Sequence, residues 1–466
     1  MKRTFLSLKY HNYRLWFFAA LVANTGTWMQ RVAQDWLVLT ELTDNDGFAV
    51  GVTTALQFLP LLIITPYAGV LADRYNKRRI MYVTQSLMGL LAVGLGILVL
   101  TDNATVEIVY GFAFTLGIVS AIDTPPRQVF VSELVEPKHL TNAIGLNSAS
   151  FNSARLIGPA LAGLLIALVG TGWVFIINGV SFGATLIGLM LMKAAQFYPI
   201  KAQPREKGQI RQAANYVRHR SDIVVIMVVA GVVSCLGLNF QLTSATMASE
   251  VFGKDAGEYG LLGSIMAIGS LTGALMAARR KESRVRLVVI AAFGFGIAAG
   301  VNSLMPTYWT YAISCIFVGY FTLTLLTSAN MAIQTSVDPM MRGRIMALYQ
   351  VVLMGSTPIG APIVGWMSAN IHPRWGIGVG AIASIIVSIG ALIWARKHWN
   401  VAFEYRREPR RQLVIIGPAE HAERQEAKNA ERRKRERTLD ATTQEHAALS
   451  SGVVAVPPRT ETPEEP

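Results

Sequence analysis

About twelve separate apolar runs, each near the roughly 20 residues a helix needs to cross a bilayer, divide this chain and constrain its fold more than anything else in it. They cover approximately 14–40, 47–72, 79–100, 105–124, 141–168, 173–193, 222–246, 257–278, 286–305, 308–334, 344–369 and 375–395. Inside lipid the backbone has no water to bond to, and a helix answers its N–H and C=O groups within its own segment. A membrane barrel would alternate apolar and polar positions, which these continuous runs do not do. Composition agrees: 52% of the 466 residues are hydrophobic and 15% charged, with a mean hydropathy of +0.39, more apolar surface than one water-soluble core hides. Lys2 and Arg3 precede the first run as in a signal peptide. That run continues past Trp36 without a small-residue cleavage site, so a first span is expected instead. Cys235 and Cys315 fall inside spans and read as small buried hydrophobes.

The basic residues sort by side. One set of connections carries Lys77, Arg78 and Arg79, then Lys138, then Lys193 to Arg220, then Arg279, Arg280 and Lys281, then Arg342 and Arg344; the other set offers only Lys254 and Arg374. By the positive-inside rule both termini are cytoplasmic, and the expected location is the cell inner membrane, crossed many times. From Val401 onward cations and anions balance, so the net charge of +13 belongs to the connections before it. Basic loops at that face suit anionic headgroups, and no nucleic-acid partner is expected.

The chain is internally duplicated. Val135-Glu136-Pro137 recurs as Val337-Asp338-Pro339, Ile157-Gly158 and Gly163 as Ile359-Gly360 and Gly365, and Trp173 as Trp375, all at one constant offset. The expected division is an N-terminal six-helix half at 1–192, a cytoplasmic linker at 193–221 read as a tether, and a C-terminal six-helix half at 222–399. A charged cytoplasmic tail follows at 400–466, largely disordered, with a partner there possible only in principle; its portion 423–437 alternates in sign and suits a solvated helix.

Charges inside or beside the spans are the candidate functional residues. Between the second and third runs stand Gly69, Asp73, Arg74, Lys77 and Arg78, with Asn76 and Arg79. An acid among cations at a membrane surface does nothing for topology, so Asp73 is expected to join an interhelical latch; for Lys77, Arg78 and Arg79 simple anchoring at the cytoplasmic face is the competing reading. In the first span Asn24, Trp28, Arg31 and Asp35 share one helical face. Arg31 and Asp35, four apart, are spaced to pair. The pair either opens during a transport cycle, making Asp35 a proton carrier, or stays shut as a structural link. Arg155, in the middle of the fifth span, is the most deeply placed cation and needs a counter-charge from Asp35 or from an anionic substrate. In the second half, Asn239 and Thr243, and on another span Tyr320 and Thr324, share polar stripes expected to line a central cavity. Asp123 and Arg127, one turn apart toward the cytoplasmic end of the fourth span, are expected to pair, with a gate role as the competing reading.

The pattern Gly69-x-x-x-Asp73-Arg74-x-x-Lys77-Arg78 resembles the loop between helices 2 and 3 of the major facilitator superfamily, with Asn76 where the family usually has Gly. Gly145, Gly158, Pro159 and Gly163 resemble that superfamily's helix 5 antiporter motif, although Ala154 and Ala162 replace two of its glycines. The stretches Asn12-Tyr13-Arg14-Leu15-Trp16, Thr27 to Trp36, and Asp123-Thr124-Pro125-Pro126-Arg127 look like the enterobactin-exporter-like and macrolide-efflux-like branch. The resemblance implies a twelve-helix transporter of two pseudo-symmetric six-helix halves, with the substrate between them, and the helix 5 motif implies export.

No phosphate-binding loop for ATP and no metal-ligand spacing is present in the sequence, so neither a cofactor, a metal site nor enzyme chemistry is expected. The chain is therefore expected to be a secondary-active exporter that exchanges protons for small amphipathic molecules such as drugs or siderophores by alternating access. An importer, or a transporter-like membrane sensor or scaffold, is the alternative.

Overall fold

The structure is a computed structural model that describes residues 5–198, 209–278, 285–337, 339–399, 402–406 and 412–416; within these, some side chains, those of 69–74 among them, lie outside the description. Twelve long helical segments follow one another up and down. They are α1 (His11–Trp36, continued by the π-helical stretch Leu37–Leu42), α2 (Gly47–Arg74), α3 (Lys77–Leu100), α4 (Val106–Glu133), α5 (Leu140–Val169) and α6 (Thr171–Leu191). The seventh, α7, is broken into Ser221–Val232, the π-helical Val233–Gly237, then Phe240–Thr246 and the π-helical Met247–Val251. After it come α8 (Ala256–Ala278), α9 (Val285–Ser303), α10 (Tyr308–Ser336), α11 (Pro339–Gly355 and Thr357–Asn370) and α12 (Pro373–Trp399).

Eleven of these segments are long and apolar enough to cross a membrane. The twelfth, α1, falls short on apolarity, not on length: its 26 residues reach about 39 Å, but Asn12, Arg14, Asn24, Gln30, Arg31, Gln34 and Asp35 dilute it. It packs against α5 and α6, and Gln30, Gln34 and Asp35 are buried there.

Three departures from the sequence expectation have simple causes. α4 continues to Glu133 through Pro125 and Pro126, where the predicted span stopped at 124. Proline costs a span less when neighbouring helices hold it. The tether contains a helix, Gln209–Arg218, which buries Ala213 and Val217 one turn apart and accepts at Gln212 Oε1 a hydrogen bond of 2.7 Å from Arg344 Nη1 at the start of α11. A second compact unit begins at Leu392. In it Ala402–Arg406 (β1) and Gln412–Ile416 (β2) pair antiparallel, Phe403 opposite Ile415, where the sequence suggested disorder; Leu413, Val414, Ile415 and Ile416 favour strand geometry.

The duplication is visible in how glycines pack. A Cβ on Gly158 would stand 2.5 Å from Trp28 Cβ, so α5 lies directly on α1; a Cβ on its counterpart Gly360 would strike the Cys235 carbonyl, so α11 lies on α7. Gly163 abuts α8, 2.6 Å from the Ala256 carbonyl by the same construction, and its counterpart Gly365 abuts the Gly47 carbonyl of α2. The pairs α5–α8 and α2–α11 are the two seams between the halves, and small residues let these backbones touch. Gly51 against Ala361 and Gly260 against Pro159, both at 2.5 Å, extend the seams. The seam contacts of Gly163, Gly365, Gly51 and Gly260 fall toward the end of the bundle away from the start of α1. Trp36 and Tyr259 stack there too, with centroids 5.6 Å apart and planes at 18°.

A leucine at Gly163 or Gly365 has no room in this seam. Either substitution is expected to pry that end open, so that a cysteine placed at Thr243 reacts with an impermeant maleimide supplied from the far side, whereas the parent bearing Gly163 and Gly365 stays unlabelled. Equal labelling of both would show that the seam is not a seal.

Candidate functional site

Between the two halves lies a cavity of about 70 Å³. Arg155 of α5 enters it from the first half, and the second half supplies the remaining wall: Phe240 and Thr243 of α7, Phe295 and Asn302 of α9, and Thr322 of α10. The break in α7 forms one edge, with Gly237 and Leu238 in the lining. There Asn239 donates from Nδ2 to the Cys235 carbonyl at 2.8 Å, answering a backbone group that the interruption would otherwise leave unpaired. Asn239 is thus a brace behind the wall, while Thr243, expected beside it, reaches the cavity.

On α10 the cavity face is Val318, Thr322 and Leu326, not the predicted Tyr320 and Thr324. Tyr320 Oη instead meets Met276 Sδ at 3.4 Å, and Thr324 points toward Gly273 of α8. A shift of two residues turns a helix by about 200°. Threonines occupy both faces of α10, so periodicity cannot choose between them.

Arg31 and Asp35 do not pair as their spacing suggested. No ion pair joins them among the described residues, because Arg31 turns back along α1 and lays its guanidinium over two rings, 4.9 Å from the centroid of Trp28 and 5.2 Å from that of Phe58. Its Nε is buried without a hydrogen-bond partner. Arg155 faces the same Trp28 ring at 5.6 Å, and no carboxylate stands within ion-pair distance of it among the described residues. Trp28 therefore has two cations against its ring, and Gly158 seats its Cβ. Asp35 is 7% exposed at the end of α1. Gly145, by contrast, has nothing within reach of a Cβ among the described residues, and Pro159 packs on Gly260 and Gly263 in the α5–α8 seam.

Asn24, the fourth member of the α1 stripe, belongs to a different cluster. Its Oδ1 accepts from Arg127 Nη1 at 3.1 Å, and Arg127 binds Asp123 through both Nε and Nη2 at 2.9 Å. Asp123, 3% exposed, also accepts from Thr84 at 2.6 Å and Gln85 at 3.0 Å. A buried carboxylate with this many donors is fully engaged, and it ties α1, α3 and α4 into one body. The Asp123–Arg127 pairing was legible from spacing; Thr84 and Gln85 gave no signal that could be told from any polar residue inside a span.

At the loop between α2 and α3, Gly69, Asp73 and Arg74 lie outside the described residues as side chains. Two of the cations are committed within the first half: Lys77 Nζ meets Glu133 at 2.8 Å, and Arg78 donates to the Leu189 carbonyl and to Tyr82 at 3.4 Å. Asn76 caps α3, accepting from the backbone N–H of Arg78 at 3.0 Å and of Arg79 at 3.3 Å, which accounts for Asn at that position.

Paired six-helix halves that meet along two helix–helix seams define the fold of a major facilitator transporter. Residues 3–412 match the family described as transmembrane secretion effector, and the chain belongs to that family of the superfamily. It is 22% identical to the staphyloferrin A transporter of Staphylococcus aureus, over 75% of this chain and 87% of that one. To the enterobactin exporter of Salmonella typhimurium it is 24% identical, over 76% and 85%. Among solved structures it is similar to a bacterial homolog of the human lysosomal transporter Spinster in an inward-facing, occupied conformation (TM-score 0.64, 16% identity, 83% of this chain and 97% of that one). A D-xylose-proton symporter is also similar (TM-score 0.62, 15% identity, 83% and 96%).

Replacing Asp123 with Ala strands Arg127, Thr84 and Gln85 and is expected to cost about 3 kcal/mol, read as a lowered unfolding temperature of the purified protein. Arg127→Lys, which keeps the charge but not the two-nitrogen grip, is expected to cost less. An unchanged melting temperature for Asp123→Ala would remove the cluster from the fold's essential contacts.

Proposed function

We propose that this protein is a secondary-active exporter that moves small amphipathic molecules, siderophores among them, across the cell inner membrane in exchange for protons. The observation that carries the reading is the central cavity itself: one deep cation from the first half facing a largely apolar wall from the second, closed toward one end of the bundle. With both termini in the cytoplasm, as the distribution of Lys and Arg predicts, the closed end faces outward and the conformation is inward-facing. The two siderophore-transporting relatives support a substrate of that size and polarity.

Rocking of the halves about the α2–α11 and α5–α8 seams would open the outer end and close the inner one. Asp35 lies one turn beyond Arg31 next to the outer seal, where Trp36 of the same helix stacks on Tyr259 of α8. No cation holds it in an ion pair among the described residues, which supports its taking up a proton when the outer end opens and giving it up inside. The loop around Asp73 and Arg74 supplies the inner latch, while Lys77 and Arg78 anchor α3 to its own half.

Purified protein in liposomes under an imposed pH gradient tests the reading. Gradient-driven accumulation of a siderophore or amphipathic drug is expected, and gradient-independent flux would remove proton coupling. Asp35→Asn is expected to retain exchange of substrate but lose proton-driven accumulation; unchanged accumulation would exclude Asp35 as the carrier. Asp73→Asn is expected to fold normally and fail to transport, and full activity would refute the latch.

A further inference from the structure

The cavity's one charged lining residue among those described is Arg155, and the nearest charged group that shares a ring with it is a second arginine. Arg155 and Arg31 stand at 5.6 and 4.9 Å from the Trp28 centroid. Among the described residues neither forms an ion pair, and Arg31 Nε has no hydrogen-bond partner. The carboxylate one turn from Arg31 on α1, Asp35, cannot neutralise both. Two guanidiniums and one carboxylate leave an excess positive charge at a depth where charge is expensive, and a cavity opens directly onto it.

Ring faces moderate this cost without removing it. A guanidinium over an aromatic face gains a modest electrostatic attraction, but its N–H donors lie in its own plane and are not used by the ring. An occupant with two acceptor oxygens in a plane matches that fork. The rest of the wall, Phe240, Phe295, Val318 and Leu326, offers apolar surface, with Thr243 and Thr322 as the neutral polar contacts.

We infer that the cavity binds an amphipathic organic anion, with a carboxylate or an equivalent pair of oxygens on Arg155 and its apolar body against the second half, Arg31 acting through Trp28 as a positioning residue. This deepens the exporter reading and rests on it for the path the anion takes, but the binding site stands on geometry alone. Arg155 sets the preference for negative charge; Trp28 fixes where the guanidinium points; Phe240 and Phe295 select for an apolar body.

The test is equilibrium binding to the full-length protein in detergent, using three probes with one ring system: 2-naphthoate, 2-naphthamide and 2-naphthylmethylamine. The carboxylate is expected to bind at least about tenfold more tightly than the amide or the amine, and Arg155→Gln to erase that margin. Arg155→Lys is expected to restore part of it, because charge returns without the fork. Trp28 makes the site self-reporting, and Trp28→Phe should remove the fluorescence change that accompanies naphthoate binding in the parent. Equal affinity for carboxylate and amide, or unchanged naphthoate affinity in folded Arg155→Gln protein, would overturn the inference. So would displacement of naphthoate by chloride or inorganic phosphate at matching concentration, which would make this a site for small inorganic anions. Because the readout is binding, its failure is separable from that of the transport reading: naphthoate bound without flux in liposomes sinks the exporter and keeps the site, and flux without charge preference does the reverse.

Discussion

A guanidinium at mid-depth in a bilayer has to find a counter-charge, a ring or a cavity, and this requirement organises the centre of the protein. Arg31 has taken two rings, and Arg155 has taken one ring and the cavity. Both depend on Trp28, whose place depends in turn on Gly158, since any side chain there would push α5 off α1. The same backbone contact recurs where Gly360 meets α7. Close packing of small residues therefore does two jobs: it joins α1 to α5 and α7 to α11 within each half, and through Gly163 and Gly365 it forms the seams between the halves.

What was legible in the sequence was what hydrophobic length and repetition encode. Continuous apolar runs allow only helices in lipid, and the shared offset of Gly158 with Gly360 and of Gly163 with Gly365 marked residues that the structure places in equivalent contacts. Arg155 was legible as a deep cation in need of a counter-charge, and the structure sets it against the Trp28 ring and at the edge of the cavity. What was illegible turned on rotation and partner choice. Nothing local distinguished Thr322 from Thr324, or told that Arg31 would choose rings over Asp35, since a spacing of four permits pairing without compelling it. The break in α7 was hidden because Leu238 and Asn239 carry no proline or glycine signal of their own beyond Gly237. The helix at Gln209–Arg218 was signalled by Ala213 and Val217 one turn apart, a pattern too short to outweigh its basic surroundings. Asn76 carried a clear capping signal ahead of Lys77-Arg78-Arg79, one that resemblance to a glycine-bearing loop obscured.

The charge at the centre also bears on how such a machine is driven. In the proposed cycle the occupied centre pairs one excess cation with one anion, so the outward-moving state carries no net charge across the field. The emptied centre returns with its excess positive charge, moving toward a negative cytoplasm. Each charge carried through the whole field is worth about 2.3 kcal/mol per 100 mV, so the electrical part of the proton-motive force acts on the return step. A proton on Asp35 adds a second charge to that step and brings in the chemical part as well. Coulomb repulsion between a protonated centre and its own arginines works against loading that proton, and low external pH has to overcome it. In that proposed cycle the membrane potential would be the steadier drive for an anion, with Asp35 adding to it, and the two arginines at one tryptophan would make the empty carrier, not the loaded one, respond to the field.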